Sequence, residues 1–224
     1  MKKISNLLMM ALLTVGMGLT SCDEQLDNAV TPYTPGVTPG TDEGEVTVAA
    51  TAAKTFAEAT AGDIGKIVGK DGKIYATKAD AEAVATGNAV AMIAYMGSST
   101  GDATYNHGLA LALTDESSSG MAWEAAKTAC SDKNTSAAVT SALWMLPSKD
   151  QWNKMIDAAG GYVALHYGFG DIEGASNLDY KYWSSTANEE TPALAWTFFF
   201  GSGEWTSGTH KYDIDCRVRA CLAF

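Results

Sequence analysis

Arginine and histidine are scarce in this chain of 224 residues, and their scarcity excludes several classes of protein. Arg217 and Arg219 are the only arginines, and acidic residues outnumber basic ones 26 to 15, for a formal net charge of −11. Such a surface repels phosphate backbones, so we exclude nucleic acid as a partner. The three histidines, His107, His166 and His210, show no metal-ligand spacing such as His-x-x-x-His. We therefore expect no metal site.

Motifs of enzymatic chemistry are also sparse. No P-loop is present. Glu189 and Glu190 are paired carboxylates, but direct neighbours on a polar loop do not define the geometry of a glycosidase. Asp213 and Asp215 could begin a calcium site, yet calcium needs about six to eight oxygen ligands, and we interpret both as surface acids. We expect no enzymatic activity and no cofactor.

The first 22 residues have the pattern of an export signal. Lys2 and Lys3 precede an apolar run over residues 7–19, which is shorter than the roughly 20 residues that span a membrane. Leu19-Thr20-Ser21-Cys22 resembles a bacterial lipobox, in which the cysteine thiol receives a diacylglyceryl group. An ordinary secretory signal is the alternative. We expect a signal peptide over residues 1–21 and lipidation at Cys22, which anchors a surface-exposed protein in the outer membrane.

Residues 22–61 are predicted to form a flexible linker. This stretch is rich in Thr, Pro, Gly, Ala and acids, and Pro32, Pro35 and Pro39 each follow a threonine. Repeated Thr-Pro steps interrupt both helical and strand periodicity. We expect an extended, disordered stalk between the lipid anchor and the globular part.

Residues 62–107 form a predicted β-rich portion of the globular domain. Asp71-Gly72 between short apolar runs is a strong hairpin signal. The alanine-rich residues 78–86 predict a short helix that ends at Gly87. The apolar run over residues 89–96 predicts a buried strand, and residues 108–113 predict another.

Two further helices are predicted in the second half of the chain. The first covers residues 121–130. The second begins after Ser148, because Ser148 and Gln151 have the spacing of a capping box, and it ends at Gly160-Gly161. The remainder, rich in Gly, Ser, Tyr and Trp, predicts loops and short antiparallel strands.

Four motifs occur in order in this second half. They are Trp144-Met145-Leu146-Pro147-Ser148, Tyr182-Trp183-Ser184-Ser185-Thr186, Ala195-Trp196-Thr197-Phe198-Phe199-Phe200-Gly201-Ser202-Gly203 and Arg217-Val218-Arg219-Ala220-Cys221-Leu222-Ala223-Phe224. In this order they resemble the C-type-lectin-like fold as used in bacterial surface lipoproteins, a superfamily that also includes the formylglycine-generating enzymes. The resemblance covers residues 108–224. It implies an α+β domain with two helices and short antiparallel strands, preceded by the β-rich portion and the stalk.

The terminal motif most resembles target proteins of diversity-generating retroelements, in which reverse transcription from a template repeat rewrites adenine-derived codons near the C-terminus. The resemblance implies a surface lipoprotein that binds a protein or glycan ligand. The alternative is a structural cell-envelope or pilus-tip adhesin subunit without diversification. A distant alternative is an enzyme of the formylglycine-generating type, in which Cys216 and Cys221 would take the place of the redox cysteines.

Strand periodicity separates core from surface in the third motif. Because successive side chains of a strand point to opposite faces, Trp196, Phe198 and Phe200 share one face, which we interpret as the core face. Thr197 and Phe199 lie on the opposite face, which we interpret as the surface. If the resemblance holds, exposed positions between Trp183 and Arg217 form one contact patch. The predicted ligand-binding residues are Thr197, Phe199, Glu204, Trp205, Ser207, Thr209, His210, Tyr212, Asp213 and Asp215. For Trp205, a place in the core is an equally weighted alternative.

The last motif predicts a buried strand. Its alternation places Val218, Ala220, Leu222 and Phe224 in the core, while Arg217 and Arg219 are expected to anchor acids or carbonyls.

Three cysteines accompany Cys22 in the mature protein. The family resemblance implies a bridge from a helix cysteine to the terminal strand, which favours a Cys130–Cys221 disulfide. Strand periodicity alone places Cys216 on the core face of Val218. The pairing therefore rests on the resemblance.

Overall fold

The computed structural model describes residues 53–224. The predicted signal peptide, the lipidation of Cys22 and most of the predicted linker lie outside these residues. No helix among the described residues is long and apolar enough to cross a membrane.

Ten strands and four α-helices make up the described part of the chain, so the α+β class is confirmed. The strands are β1 Lys54–Thr55, β2 Ile67–Gly69, β3 Lys73–Tyr75, β4 Ala89–Met96, β5 Gly108–Ala112, β6 Leu143–Met145, β7 Lys181–Ala187, β8 Leu194–Phe199, β9 Glu204–His210 and β10 Cys221–Ala223. The helices are α1 Lys78–Val84, α2 Trp123–Ser136, α3 Lys149–Ala158 and α4 Tyr162–Gly170. Seven strands form one sheet in the order β1-β3-β2-β4-β5-β10-β6, and β7-β8-β9 form a second sheet.

Several local predictions are confirmed. The Asp71-Gly72 turn joins the antiparallel strands β2 and β3, and Gly72 has the positive φ of 75° that such a turn favours. At the start of α3, the Ser148 hydroxyl accepts from the Gln151 amide at 3.1 Å, and Gln151 Oε1 accepts from the Ser148 amide at 2.6 Å. This reciprocal pair is the predicted capping box.

The sequence predicted two helices in the second half of the chain, but the structure has three there. The additional helix is α4, which lies where loops were predicted. The helix begins directly after Gly161, whose φ is 116°, and buries Leu165 and Phe169. The helix contains Gly168 and Gly170, and glycine has a low helix propensity, so residue propensities alone do not predict a helix here. The burial of two side chains four residues apart stabilises the helix in its tertiary context.

The predicted linker also ends earlier than residue 61. Lys54 and Thr55 pair with β3, and a short 3-10 helix follows over Phe56–Glu58. The ring of Phe56 stacks on Phe224 with centroids 4.4 Å apart, and both rings are buried. Residues 53–61 therefore belong to the folded unit.

Apolar cores lie on both faces of the seven-stranded sheet. Successive residues of β4 illustrate the division, since Ile93 belongs to one core and Met92 to the other. Helix α2 covers the first face with Trp123, while α3 and α4 cover the second face with Trp152 and Leu165. The central strands are thus buried on both sides.

All three described cysteines are buried free thiols, which corrects the predicted Cys130–Cys221 disulfide. Cys221 lies in the core that contains α3, whereas Cys130 lies in the opposite core with Cys216. Because successive residues of a strand face opposite sides, the Cys221 side chain points away from Cys130. Burial raises the pKa of Cys216 to about 11 and also raises the pKa of the other two thiols. The placement of Cys216 on the core face of Val218 is confirmed.

The terminal segment is held in place by its two arginines, as predicted. Arg219 is fully buried and donates from Nε to Asp115 Oδ1 at 2.7 Å and from Nη1 to the Ala112 carbonyl at 2.9 Å. Arg217 donates from Nη1 to the Ser117 carbonyl at 3.4 Å. These contacts fix the chain between the second sheet and β10.

Candidate ligand-binding surface

The β8–β9 hairpin positions most of the predicted contact residues. Its turn is closed by the Gly203 amide, which donates to the Phe199 carbonyl at 2.8 Å, and Gly203 has a φ of 74°. Antiparallel pairing places Phe199 opposite Glu204 and Phe198 opposite Trp205. Because opposite residues share a face, Phe199 and Glu204 lie on one side of the sheet and Trp205 lies on the other.

Phe199 is exposed and Phe198 is buried, as the periodicity of the third motif predicts. The ring of Phe199 is 43% exposed, whereas Phe198 is 3% exposed. Phe198 packs against Phe200 with ring centroids 4.9 Å apart and against Trp205 at 5.1 Å. The inward face of this hairpin end is therefore an aromatic cluster, and Phe199 is available to solvent.

Thr197 is buried, which contradicts its predicted place on the surface. Its hydroxyl lies 2.9 Å from the hydroxyl of Thr209, another predicted contact residue that is buried. A β-bulge in β9 lies beside this pair, since Ala195 pairs with Thr209 and Thr197 with Thr206. Thr197 itself is buried because its face of β8 is covered: Ala195 on the same face belongs to a core, and Thr197 pairs with the buried Trp183 of β7. Neither threonine is available to a ligand.

Trp196 is half-buried, although periodicity placed it in the core. The Lys149 ammonium lies 3.3 Å from the centroid of its ring, and Trp205 meets it edge-on at 6.4 Å. The ring forms part of the wall of a groove of about 340 Å³ that also contains Ser207 and the carboxylate-bearing loop at Glu189. Sequence reasoning missed this groove because periodicity assigned the whole Trp196 face of β8 to the core.

Trp205 is half-buried, so it belongs neither wholly to the core nor wholly to the surface. Its Nε1 donates to Asn153 Oδ1 of α3 at 2.9 Å, while its ring packs on Phe198. Ser207 is also half-buried, and its carbonyl accepts from Asn188 Nδ2 at 3.1 Å. Both side chains belong to the α3 side of β9.

His210, the last residue of β9, and the residues after it form an exposed group at the end of the strand away from the Gly203 turn. The rings of His210 and Tyr212 stack with centroids 4.9 Å apart, and Tyr212 is 72% exposed. Asp215 is exposed and Asp213 is half-buried. The ten predicted residues therefore do not form one patch: two are buried, and the others are divided between the two sides of the β8–β9 hairpin and the end of β9.

A second cleft, of about 250 Å³, lies where α4 meets the β8–β9 turn. His166 Nδ1 lies 3.3 Å from Asp179 Oδ1, and the Tyr167 ring meets His166 edge-on at 5.0 Å. Tyr167 is 64% exposed. Sequence reasoning missed these residues because it did not predict α4.

One hydrolase-like spacing occurs, but its surroundings differ from those of a nucleophile. Gly97-Ser98-Ser99-Thr100-Gly101 has the Gly-x-Ser-x-Gly pattern and follows β4. A nucleophile elbow leads from a strand directly into a helix, whereas no helix separates β4 from β5. The described residues also contain no group of three or more His, Cys, Asp or Glu that could hold a metal ion.

Comparisons with known proteins give a likeness at the level of the fold. No protein-family profile matches the chain, and no curated protein matches it. Among solved structures, the chain is similar to a crystal structure of a fimbrial protein from Bacteroides ovatus, with 14% sequence identity and a TM-score of 0.51. The match covers 72% of this chain and 48% of that protein, so this chain spans about half the length of its neighbour.

Proposed function

We propose that this chain is a cell-surface adhesin-type subunit with a structural role in the cell envelope, anchored by a lipid at Cys22. The observation that carries the proposal is the likeness of fold to a fimbrial protein over 72% of the chain. The proposal includes a C-type-lectin-like fold for residues 108–224 and no enzymatic activity. Its partners would be other proteins or glycans at the cell surface.

The two sheets differ in a way that supports a role in assembly. At the edge strand β6, the main-chain groups of Trp144 are hydrogen-bonded to the Asn134 side chain. Asn134 Oδ1 accepts from the Trp144 amide at 2.7 Å, and Asn134 Nδ2 donates to the Trp144 carbonyl at 2.9 Å. Strand β9 is the outermost strand of its sheet and has seven residues. An outermost strand is a template for strand addition by a partner chain, and β9 is regular over Glu204–Thr206, before its bulge.

A proline substitution tests the role of the β9 edge. The Gly208 amide donates to Thr206 Oγ1 and not to β8, so Gly208→Pro leaves the ladder with β8 intact, while proline disfavours pairing of a further strand at that position. Gly208→Ala is the matched control, because an added Cβ finds its nearest atom at 3.7 Å. We expect cross-linked oligomers on the cell surface with the alanine variant but not with the proline variant, at similar melting temperatures. Equal assembly of the two variants would count against a structural role through β9.

The anchor is tested separately. Cys22→Ala in the full-length chain should release the protein from the membrane fraction, and protease added to intact cells should digest the wild-type protein if it is displayed outside. Undiminished membrane retention of Cys22→Ala would contradict lipid anchoring.

Retroelement-diversified ligand binding is the second candidate function. It is favoured by the exposed, chemically varied side chains of Phe199, Glu204, His210 and Tyr212, which lie near the C-terminus on or beside the hairpin. The discriminating observation is genomic. A neighbouring reverse transcriptase and a near-identical template repeat that differs at adenines would support this candidate, and their absence would favour the structural role.

A further inference from the structure

Three lysines converge on one cleft in a protein that is otherwise strongly acidic. The cleft has a volume of about 290 Å³ and is bordered by α1, the loop before β4, the end of β5 and the C-terminal part of α2. Lys70, Lys78 and Lys133 line it, together with the carboxylate of Glu82. They come from three separate parts of the fold, so the tertiary structure brings their charges together.

Each ammonium group lies close to a second residue that lines the cleft. The Lys70 Nζ lies 3.9 Å from the position that a Cβ would take on Gly87, and the Lys78 Nζ lies 3.2 Å from the corresponding position on Gly174. Both glycines line the cleft. The Lys133 Nζ lies 4.8 Å from the ring centroid of Trp144, which also lines the cleft. The ammonium groups thus lie along the cleft walls.

The charge of the cleft is only partly neutralised. Lys78 Nζ donates to a main-chain oxygen, that of Glu173, at 2.6 Å, rather than to a carboxylate. Lys133 lies 3.2 Å from Glu116 Oε1 and is paired. The two oxygens of Glu82 accept from the amides of Gly87 and Ala89, which hold the carboxylate in place but leave it charged. Three lysines against Glu82 and Glu116 leave one net positive charge at the cleft. Lys70 and Lys78 therefore present positive charge to a bound group.

We infer that this cleft binds an oxyanion, a sulfate or phosphate group, either free or carried as an ester on a sugar. Lysine ammonium groups are compact point charges that suit tetrahedral oxyanions. The net charge of −11 disfavours anions elsewhere on the surface, so attraction at the cleft is local. Thr114 also lines the cleft, and its hydroxyl is of the type that donates to an oxyanion. The inference stands independently of the proposed adhesin role.

Calorimetric titration of the full-length chain in detergent, at low ionic strength, tests the inference. The probes are sodium sulfate, sodium phosphate and N-acetylglucosamine 6-sulfate, with unsulfated N-acetylglucosamine as the uncharged reference. We expect saturable binding of the anions, weakened by added sodium chloride because salt screens partly exposed charges. Tighter binding of the sulfated sugar than of inorganic sulfate identifies the ester as the ligand, and equal binding identifies the free oxyanion.

Matched variants link the binding to the cleft. Lys70→Gln combined with Lys78→Gln should weaken sulfate binding about tenfold or more, since two of the three charges are removed while the side-chain length is nearly kept. Lys73→Gln removes the same charge from an exposed position on β3 outside the cleft and should leave the affinity unchanged. Melting temperatures confirm that every variant is folded. Equal sulfate affinities in the double variant and in the wild type, or no saturable binding of any anion, would overturn the inference.

Discussion

Strand β10 lies in the seven-stranded sheet and strand β9 in the three-stranded sheet, and the two strands differ in how far their residues are buried. β10 runs between β5 and β6, and all three of its residues are buried, because apolar cores cover both faces of its sheet. β9 pairs only with β8, and exposed residues alternate along it with more buried ones. Substitutions in β10 therefore disturb packing whichever way a side chain points, whereas half of the positions in β9 are free to serve a surface function.

The largest effect is expected at the buried arginine next to β10. Arg219→Met leaves the Asp115 carboxylate without its closest partner, a contact of 2.7 Å, in a place that is largely closed to water. Complete loss of a buried charge's partners costs about 3–5 kcal/mol in the free energy of unfolding, and because Arg217 and the Tyr182 hydroxyl stay near Asp115, we expect about 3 kcal/mol, which urea denaturation measures. Arg217→Met is the control, because Arg217 is half-buried and lies 3.9 Å from Asp115. Equal losses for both variants would show that the pairing of Arg219 is not what matters.

The next effect compares adjacent residues of β8. Phe198→Ala removes a ring from the aromatic cluster under the hairpin and should cost about 3 kcal/mol. Phe199→Ala removes a ring that is 43% exposed and should cost less than about 1 kcal/mol. Thermal unfolding of the two variants measures the difference. If Phe199→Ala proved the more damaging change, the inward and outward faces of β8 would be reversed.

A smaller effect is expected at the hydroxyl pair beside the bulge. Thr197→Val leaves the Thr209 hydroxyl buried without its partner at 2.9 Å, a loss of about 1–2 kcal/mol. The double change Thr197→Val with Thr209→Val should cost less than the sum of the single changes, because neither hydroxyl is then unpaired. A double-mutant cycle in urea measures this coupling, and strictly additive losses would show that the two hydroxyls do not interact.

The smallest effect is an acid dependence near the edge strand β1. The ammonium groups of Lys66 and Lys54, at 2.7 and 2.9 Å, hold the pKa of Asp63 well below its usual range. A lowered folded-state pKa stabilises the fold above the unfolded pKa of about 3.9, and that stabilisation disappears as the pH falls. Because both lysines are partly exposed, we expect at most about 1 kcal/mol. Between pH 6 and pH 3, the free energy of unfolding should fall more in wild type than in Asp63→Asn, which unfolding curves at the two pH values measure, and identical pH profiles would exclude Asp63 as the source.

Local sequence signals predicted much of the fold. The Asp71-Gly72 hairpin, strand β4 and the Ser148 capping box depend on neighbouring residues alone, so periodicity and turn chemistry were sufficient to find them. The alternation of the terminal motif predicted that one face of its strand is buried. In the structure both faces are buried, since Leu222 lies in one core and Cys221 in the other. One sequence cannot show how many faces of a strand are covered, because that depends on which helices pack on the sheet.

The candidate site was less predictable, and the reasons are tertiary. The amino-acid sequence by itself determined which residue types occupy the hairpin, its turn at Gly203 and the outward position of Phe199. Only the tertiary structure decided that Thr197 is buried, because periodicity separates the two faces of β8 but does not show that cores cover both of them. It also brought Lys70, Lys78 and Lys133 to one cleft. Charges distant in sequence come together only when the chain has folded, since packing of the elements fixes their separation.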